Sequence, residues 1–283
     1  MDAQELIDDA EERLLASPAL DHWQKGRERI DAEDLLTHVL GPDWEPEDEV
    51  SASAARRFRR LVERHYEGEP IPYIRGYVEF RGMHLLAKRG VFVARESSEF
   101  MVTQAVRRLA RRPRPVAVDV ATGSGPVALG VAKALRRAEV HGTDLSRAAV
   151  ALARTNAKRL RLRATFHQGD LFAALPRRLA GRVDAVTLHP PYVGKKELRD
   201  LPEEILRFEP LESLTDHSPR GLGLIGRVAV EAPLWLREGG WILIEVSPDR
   251  ARAVSTVLRR AGYRDVRSTK GGLAVTRVIA GRR

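Results

Sequence analysis

Two short segments of the sequence carry residue types that can do chemistry. The first is a glycine-rich turn, Asp119-Val-Ala-Thr-Gly-Ser-Gly125, which lies between two apolar stretches. The second is His189-Pro190-Pro191-Tyr192, which directly follows another apolar stretch. A glycine-rich turn between a strand and a helix lets backbone N–H groups approach a ligand closely. A double proline fixes φ and leaves carbonyl oxygens without N–H donors of their own.

The glycine-rich turn is expected to bind a cofactor at the carboxyl end of a strand. The third position after Gly125 is Ala128, so the turn departs from the G-x-G-x-x-G pattern of dinucleotide-binding proteins, although an alanine variant exists. No set of residues typical of hydride transfer accompanies the turn, which disfavours a dehydrogenase. The predicted cofactor contacts from the turn are Asp119, Thr122, Gly123, Ser124 and Gly125.

Acidic residues follow the next two predicted strands. Asp144 is placed to accept hydrogen bonds from ribose hydroxyls, and Asp170 is expected near an adenine amino group. An aspartate after a strand is also a common helix cap, but acidic groups at successive strand ends converge on one edge of a parallel sheet. Leu145, Leu171 and His189 are assigned to the same cofactor site.

The double-proline segment is expected to hold a planar substrate with an NH₂ group. The carbonyl oxygens of Pro190 and Pro191 suit its hydrogens, and Tyr192 offers a flat wall and a ring face for a sulfonium cation. Taken alone, the segment is as typical of an ordinary chain reversal as of a substrate site. Behind a cofactor turn, it predicts methylation of nitrogen by S-adenosylmethionine. The predicted catalytic residues are His189, Pro190 and Tyr192, and the predicted substrate contacts include Pro190, Pro191 and Tyr192.

The elements that must position these segments alternate between strand and helix after residue 97, which predicts an α/β, Rossmann-like fold with a parallel sheet covered on both faces. Strands are expected at 116–120, 139–143, 164–167, 184–188 and 241–246, and helices at 127–135, 147–160, 222–236 and 250–261. The tail over 263–279 is expected to form two more strands that turn at Gly271-Gly272.

The chain before residue 97 differs in pattern. Apolar residues at helical spacing predict three helices in residues 1–70, a helical substrate-recognition domain. The β-rich residues of 71–95 predict a hairpin linker around Gly82 and Gly90, and 96–283 is the predicted methyltransferase domain.

Composition sets the outer bounds of the function. The 283 residues are 43% hydrophobic and include no cysteine, which excludes disulfides and is typical of a reducing cytosol. The acidic start and the lack of a long apolar run predict a cytoplasmic protein without export signal or membrane span. The eight histidines form no ligand-spaced cluster, so no metal is expected. The net charge of +9 rests on tracts such as Arg56-Arg57-Phe58-Arg59-Arg60, which suit either a solvated helix face or an acidic partner.

The sequence resembles the release-factor glutamine methyltransferases, or HemK/PrmC-type enzymes, over nearly its whole length. The matching stretches are Asp31-Ala-Glu-Asp-Leu-Leu36, Gly68-Glu-Pro-Ile-Pro-Tyr-Ile-Arg-Gly76, the glycine-rich turn, Asp144-Leu-Ser146, Arg154-Thr-Asn156, Pro190-Pro-Tyr192, Phe208-Glu-Pro210, Gly221-Leu222 and Arg277-Val-Ile-Ala-Gly281. The resemblance implies a helical N-terminal domain on a class I methyltransferase domain with a seven-stranded, mostly parallel sheet. It also implies S-adenosylmethionine as methyl donor and the glutamine amide of a peptide release factor as acceptor.

Three departures from the family pattern bear on the acceptor. His189 stands where the family has asparagine, both prolines of a Pro-Arg-Pro segment are lost around Glu96, and Glu212 is an added acid. A histidine can exchange a proton near neutral pH, and a guanidinium acceptor would need to lose one. We therefore take a guanidino group, simplest as free arginine bound by Glu96, Glu209 and Glu212, as the main interpretation. Release-factor glutamine is the alternative, and a nucleic-acid amino group is a third, weaker candidate.

Overall fold

The computed structural model of the chain describes residues 1–20, 26–271 and 277–283. The helices are α1 (Ala3–Leu15), α2 (Glu28–Leu40), α3 (Ala52–Tyr66), α4 (Ile71–Arg75), α5 (Glu99–Leu109), α6 (Pro126–Ala134), α7 (Arg147–Leu160), α8 (Glu203–Phe208), α9 (Leu211–Leu214), α10 (Gly223–Trp235) and α11 (Ala251–Arg260). The strands are β1 (Tyr77–Phe80), β2 (Met83–Leu86), β3 (Val116–Val120), β4 (Glu139–Asp144), β5 (Thr165–Gln168), β6 (Val183–Leu188), β7 (Leu236–Val246), β8 (Arg264–Lys270) and β9 (Arg277–Arg282).

The chain divides into two compact units. The first comprises Met1–Tyr77, Ala87–Arg89 and Asp200–Glu209, and the second comprises Val78–Leu86, Gly90–Arg199 and Pro210–Arg283. The segment Asp200–Glu209 thus belongs to the first unit, although it comes late in the sequence. The domain boundaries expected at residues 70 and 95, and the roles expected for those domains, stay predictions.

The first unit is built on helices whose ends and faces follow from the sequence. Helix α1 begins with a capping box, in which Asp2 accepts from the N–H of Glu5 and the Glu5 carboxylate accepts from the N–H of Asp2. Its apolar face packs with those of α2 and α3 in one core. His65 of α3 is buried and lies 3.3 Å from the Asp31 carboxylate of α2, which ties the two helices together. The helical character expected for this region is confirmed.

The second unit holds a seven-stranded sheet in the order β5-β4-β3-β6-β7-β9-β8. Strands β3 to β7 pair in parallel, whereas β9 runs antiparallel to both β7 and β8. Every residue of β3 and β6 is buried, because helices cover both faces of the sheet. Helices α5, α6 and α7 pack on one face, and α10 and α11 pack on the other. The predicted class I methyltransferase fold is confirmed.

Several local features differ from the sequence prediction. Strand β7 begins at Leu236 rather than 241, with a register shift opposite Val183. The predicted turn at Gly271-Gly272 lies partly outside the described residues, since Gly272 is not among them. Across the described ranges, none of the helices combines the length and the apolar character needed to traverse a bilayer. The cytoplasmic location stays a prediction.

Candidate active site

The candidate site lies at the carboxyl ends of the central strands of the second unit. The chain runs outward from β3 through β4 to β5, and then returns to β6 on the other side of β3. Ligands of open α/β sheets bind where the strand order reverses in this way. The turns that follow β3, β4, β5 and β6 line a cavity of about 920 Å³ at that point.

Most residues predicted for the site line this cavity. They are Asp119, Thr122, Gly123, Ser124, Asp144, Leu145, Asp170, Leu171, His189, Pro190, Pro191 and Glu212. The glycine-rich turn and the double-proline segment therefore face the same space. Four predicted residues are not among those that line it, namely Glu96, Gly125, Tyr192 and Glu209.

Asp119 is a buried carboxyl group at the base of the glycine-rich turn. It accepts hydrogen bonds from the hydroxyls of Thr122 and Thr187, each at 2.6 Å. Burial raises the pKa of Asp119 from its ordinary value of 3.8 to about 6, and the two hydroxyls oppose that shift because they stabilise the ionised form. These two hydrogen bonds fix the orientation of the carboxyl group.

Two glycines give the turn its shape for different reasons. Gly123 has φ +57° with open space where a Cβ would stand, and its N–H donates to the Asp144 carboxylate at 2.8 Å. Gly125 has φ +87° and is packed so that a Cβ would lie 3.0 Å from Phe166. The second glycine thus serves packing behind the cavity, which explains why it does not line it.

Asp144 and Asp170 occupy the ends of the next two strands. The Asp144 carboxylate accepts from the backbone N–H groups of Gly123 and Ser146, both at 2.8 Å, and burial raises its pKa. The carboxylate of Asp170, about half exposed, pairs instead with Arg227 of α10 at 2.7 and 3.3 Å. Each carboxylate oxygen has further lone pairs that can accept from a ligand.

The double-proline segment begins with a histidine held between side chains. His189 Nδ1 lies 3.2 Å from the hydroxyl of Ser98, and the ring meets Phe92 edge-on at 6.0 Å between centroids. The Tyr192 ring lies roughly parallel to the His189 ring at 6.1 Å. Burial, followed by the charge of Glu245, raises the pKa of the Tyr192 hydroxyl. Tyr192 thus lies against His189 rather than at the cavity wall.

Of the three acids predicted to bind a guanidinium, Glu212 lines the cavity, and Glu96 and Glu209 are not among its lining residues. Glu96 is exposed in a 3-10 turn, and Glu212 is exposed at the cavity. Glu209 is buried in the first unit, where its carboxylate accepts from the Tyr73 hydroxyl at 3.0 Å. Among the described residues of the second unit, Glu212 is the one of the three that lines the cavity.

Several residues at the cavity were not found from the sequence. Ser98, Phe92 and Arg227 line it, and Thr187 orients Asp119 from β6. Each comes from an element distant in sequence from the motif it touches, and a lone serine or arginine carries no spacing signal. Only the sheet topology brings these residues to the site.

Two known protein families match separate parts of the chain. A methyltransferase domain matches residues 117–208, and a PrmC N-terminal domain matches residues 5–76. The release factor glutamine methyltransferase of Bordetella pertussis is 37% identical over 273 residues, which are 95% of this chain and 97% of that protein. This chain belongs to the release factor glutamine methyltransferase family. The family member of Rhodopirellula baltica is 33% identical over 91% of this chain and 90% of its own length.

Solved structures of other methyltransferases share the fold of this family member. A methyltransferase from Pyrococcus furiosus superposes with a TM-score of 0.51 at 16% identity, over 71% of this chain and 89% of its own. This likeness shows the fold alone. The family match makes the chain an S-adenosylmethionine-dependent N-methyltransferase, and that prediction is confirmed.

The residues at the cavity of this family member fit S-adenosylmethionine. The cofactor carries hydrogen-bond donors at its ammonium group, its ribose hydroxyls and its adenine amino group. The cavity offers carboxylates from Asp119, Asp144 and Asp170 at three neighbouring strand ends, which can accept from such donors. Leu145, which is 72% exposed beside them, offers an apolar surface to a flat base.

Proposed function

We propose that this enzyme methylates the side-chain amide nitrogen of a glutamine in a peptide release factor. The observation that carries the proposal is the 37% identity to the Bordetella pertussis release factor glutamine methyltransferase over 95% of this chain. The shared cavity of the glycine-rich turn and the double-proline segment supports it, because a methyl group must cross directly from one ligand to the other.

In this proposal the strand-end carboxylates hold the cofactor. Asp119 accepts from the ammonium group, Asp144 accepts from the ribose hydroxyls, and Asp170 accepts from the adenine amino group. The remaining contacts come from the backbone of Thr122, Gly123 and Ser124, and from the side chains of Leu145 and Leu171. S-adenosylmethionine, when bound, supplies a methyl carbon on a positively charged sulfur that departs as a neutral thioether.

The double-proline segment then positions the acceptor. The carbonyl oxygen of Pro190 accepts one hydrogen of the amide NH₂ and holds the nitrogen lone pair toward the cofactor end of the cavity. The N–C bond forms as the C–S bond breaks, and the nitrogen releases a proton afterward. Because the attacking amide is neutral, no base is needed before that step. Positioning within about 3–3.5 Å therefore carries most of the rate. Tyr192 acts here through His189, whose ring it supports.

The guanidino interpretation receives no support from the relatives. A cationic guanidinium needs carboxylates around it and a base that removes its charge. Glu212 meets the first need in part, whereas Glu209 bonds to Tyr73. The comparisons favour the alternative acceptor, glutamine, over our main interpretation from the sequence.

The test is methyl transfer from labelled S-adenosylmethionine to four acceptors, supplied separately. They are a release factor, the same factor with its acceptor glutamine replaced by alanine, free arginine and transfer RNA. We expect label in the intact release factor alone. Label in free arginine, or equal label in the glutamine-free factor, would overturn the proposal.

A further inference from the structure

Two consecutive serines join the 3-10 turn Glu96–Ser98 to the ends of two neighbouring strands. The Ser98 hydroxyl lies 3.2 Å from Nδ1 of His189, and the Ser97 hydroxyl donates to the Glu245 carboxylate at 3.0 Å. Strands β6 and β7 pair with Leu188 opposite Ile244, so His189 and Glu245 follow at the same level. Each serine thus holds one strand end.

The Ser98 hydroxyl is buried, with 2% of the residue exposed. Within residues 1–20, 26–271 and 277–283, Nδ1 of His189 is the one hydrogen-bond partner found for this hydroxyl. A buried O–H without an acceptor is costly, so the hydroxyl proton is donated to the nitrogen it faces. A ring nitrogen that accepts carries no hydrogen, and a neutral imidazole then carries its hydrogen on Nε2.

We propose that Ser98 fixes His189 in the tautomer that donates from Nε2 into the cavity, and that this donor selects acceptors with a carbonyl oxygen beside the NH₂ group. The inference rests on the proposed function and names the feature by which the site recognises its substrate. His189 lines the cavity beside Pro190, whose carbonyl oxygen is an acceptor. The site therefore presents one donor and one acceptor side by side.

This pair matches an amide and opposes a guanidinium. A glutamine side chain has a carbonyl oxygen for Nε2–H and an NH₂ group for the Pro190 carbonyl. A guanidinium has five N–H donors and no acceptor, so its donors would face the Nε2–H donor. Histidine at this position is thus compatible with glutamine, provided that Ser98 keeps the hydrogen on Nε2.

The neighbours of His189 hold its ring plane in place. Phe92 packs against it edge-on, and Tyr192 lies nearly parallel to it with an interplanar angle of 22°. The Nδ1 atom forms its described hydrogen bond with Ser98 and not with either of these two rings. Ser98 is therefore the positioning residue for the tautomer, and the two aromatic residues restrain orientation.

The direct test is ¹⁵N NMR of the full-length enzyme with labelled histidine rings, at about pH 8 where a histidine is mostly neutral. The His189 signals are assigned from their loss in His189→Gln. We expect an unprotonated Nδ1 and a protonated Nε2 in the wild type and in Ser98→Thr, which keeps the hydroxyl. Ser98→Ala should give a mixture of tautomers. Ser97→Thr is the matched control in the same turn, because it keeps the hydroxyl that donates to Glu245, and it should keep the wild-type pattern.

Kinetics supply the second readout. Ser98→Ala should raise the KM for a release factor about tenfold with a much smaller change in kcat, as expected for the loss of one oriented hydrogen bond. Ser98→Thr should keep the wild-type KM, and Ser97→Thr should leave it unchanged. A protonated Nδ1 in the wild type, or an unchanged KM in Ser98→Ala, would overturn the inference.

The failure of this inference differs from the failure of the proposed function. A wild-type enzyme that methylates a release factor but shows the Nδ1–H tautomer refutes the role of Ser98 alone. A wild-type enzyme that leaves release factors unmethylated refutes the proposed function, whatever tautomer it shows.

Discussion

The two ends of the cavity are built in different ways. At the cofactor end, Asp144 is held by two backbone N–H groups and Asp119 by two hydroxyls of neighbouring strands or turns. At the acceptor end, His189 is held by one side-chain hydroxyl and two aromatic rings. The cofactor end follows the family motif, whereas the acceptor end carries the departures. Asp144 is held by backbone groups that no substitution removes, whereas His189 depends on three side chains that can each be replaced. Acceptor choice is therefore the feature most open to change.

The largest effect should come from a change that damages the acceptor end alone. Gly221 has φ +62°, and a Cβ there would collide with the backbone carbonyl of Tyr192. Gly221→Ala should shift the double-proline segment and lower methyl transfer at least about 100-fold, since displacements near 1 Å cost that much.

Two measurements check the Gly221→Ala prediction. Calorimetric affinity for S-adenosylhomocysteine should stay within a few-fold of the wild type, because the cofactor end is untouched. Gly226→Ala is the matched control, since its Cβ would meet no atom within 4 Å, and it should keep full activity. Equal losses of cofactor affinity and transfer in Gly221→Ala would show that the two ends are not independent.

A smaller effect is expected from the converse change at the cofactor end. Asp119→Asn keeps the shape of the side chain but removes the charge that faces the cofactor ammonium in our proposal. The affinity for S-adenosylhomocysteine should fall about 10- to 100-fold, the usual range for a charge-assisted hydrogen bond. The KM for the release factor, measured at saturating cofactor, should not change. An unaltered affinity would remove Asp119 from the proposed cofactor site.

The raised pKa of Asp119 predicts a dependence of stability on pH. The carboxyl titrates at about 6 in the folded chain, against an ordinary value of 3.8. Between these values the folded chain binds more protons than the unfolded chain, so this residue makes stability fall as the pH rises through that window. The loss approaches about 3 kcal/mol in the ligand-free enzyme.

Urea unfolding of the wild type and Asp119→Asn between pH 4 and 7 measures this contribution. The unfolding free energy of the wild type, relative to that of Asp119→Asn, should fall as the pH rises across this range. A difference that is flat across the window would show that Asp119 is ionised throughout it.

The smallest effect should come from the exposed ion pair at the adenine end. Arg227→Gln frees the Asp170 carboxylate, and the affinity for S-adenosylhomocysteine should rise, by less than about fivefold, because half-exposed pairs contribute little. Glu231→Gln is the control, since Glu231 lies 3.5 Å from Arg227 without touching Asp170 in the pairs described. A weaker affinity in Arg227→Gln would mean that Arg227 itself contacts the ligand.

The sheet and its motifs could be predicted because the signals are local. Strand β3 has the predicted bounds, since all five of its residues are buried and β-branched or small apart from Asp119. Helix α7 also has the predicted bounds, because Ser146 caps its first turn by accepting from the N–H of Ala149. Residues that are close in sequence determine these elements, so the local sequence pattern is enough to predict their bounds.

The acceptor end could not be predicted because its contacts are long-range. Ser98 and His189 are 91 residues apart, and Glu209 bonds to a tyrosine 136 residues away. The sequence suggested a guanidinium site of three acids, but the Glu209 carboxylate accepts from the Tyr73 hydroxyl and does not line the cavity. Side-chain packing of this kind depends on tertiary structure that sequence spacing does not contain.

Mass spectrometric mapping of the methyl group on a release factor, after incubation with the enzyme and S-adenosylmethionine, tests the proposed function directly. We expect one methyl group on a glutamine side-chain nitrogen, formed by the wild type and strongly reduced in Gly221→Ala. A methyl group on any other residue, or an unmodified factor beside methylated free arginine, would contradict it.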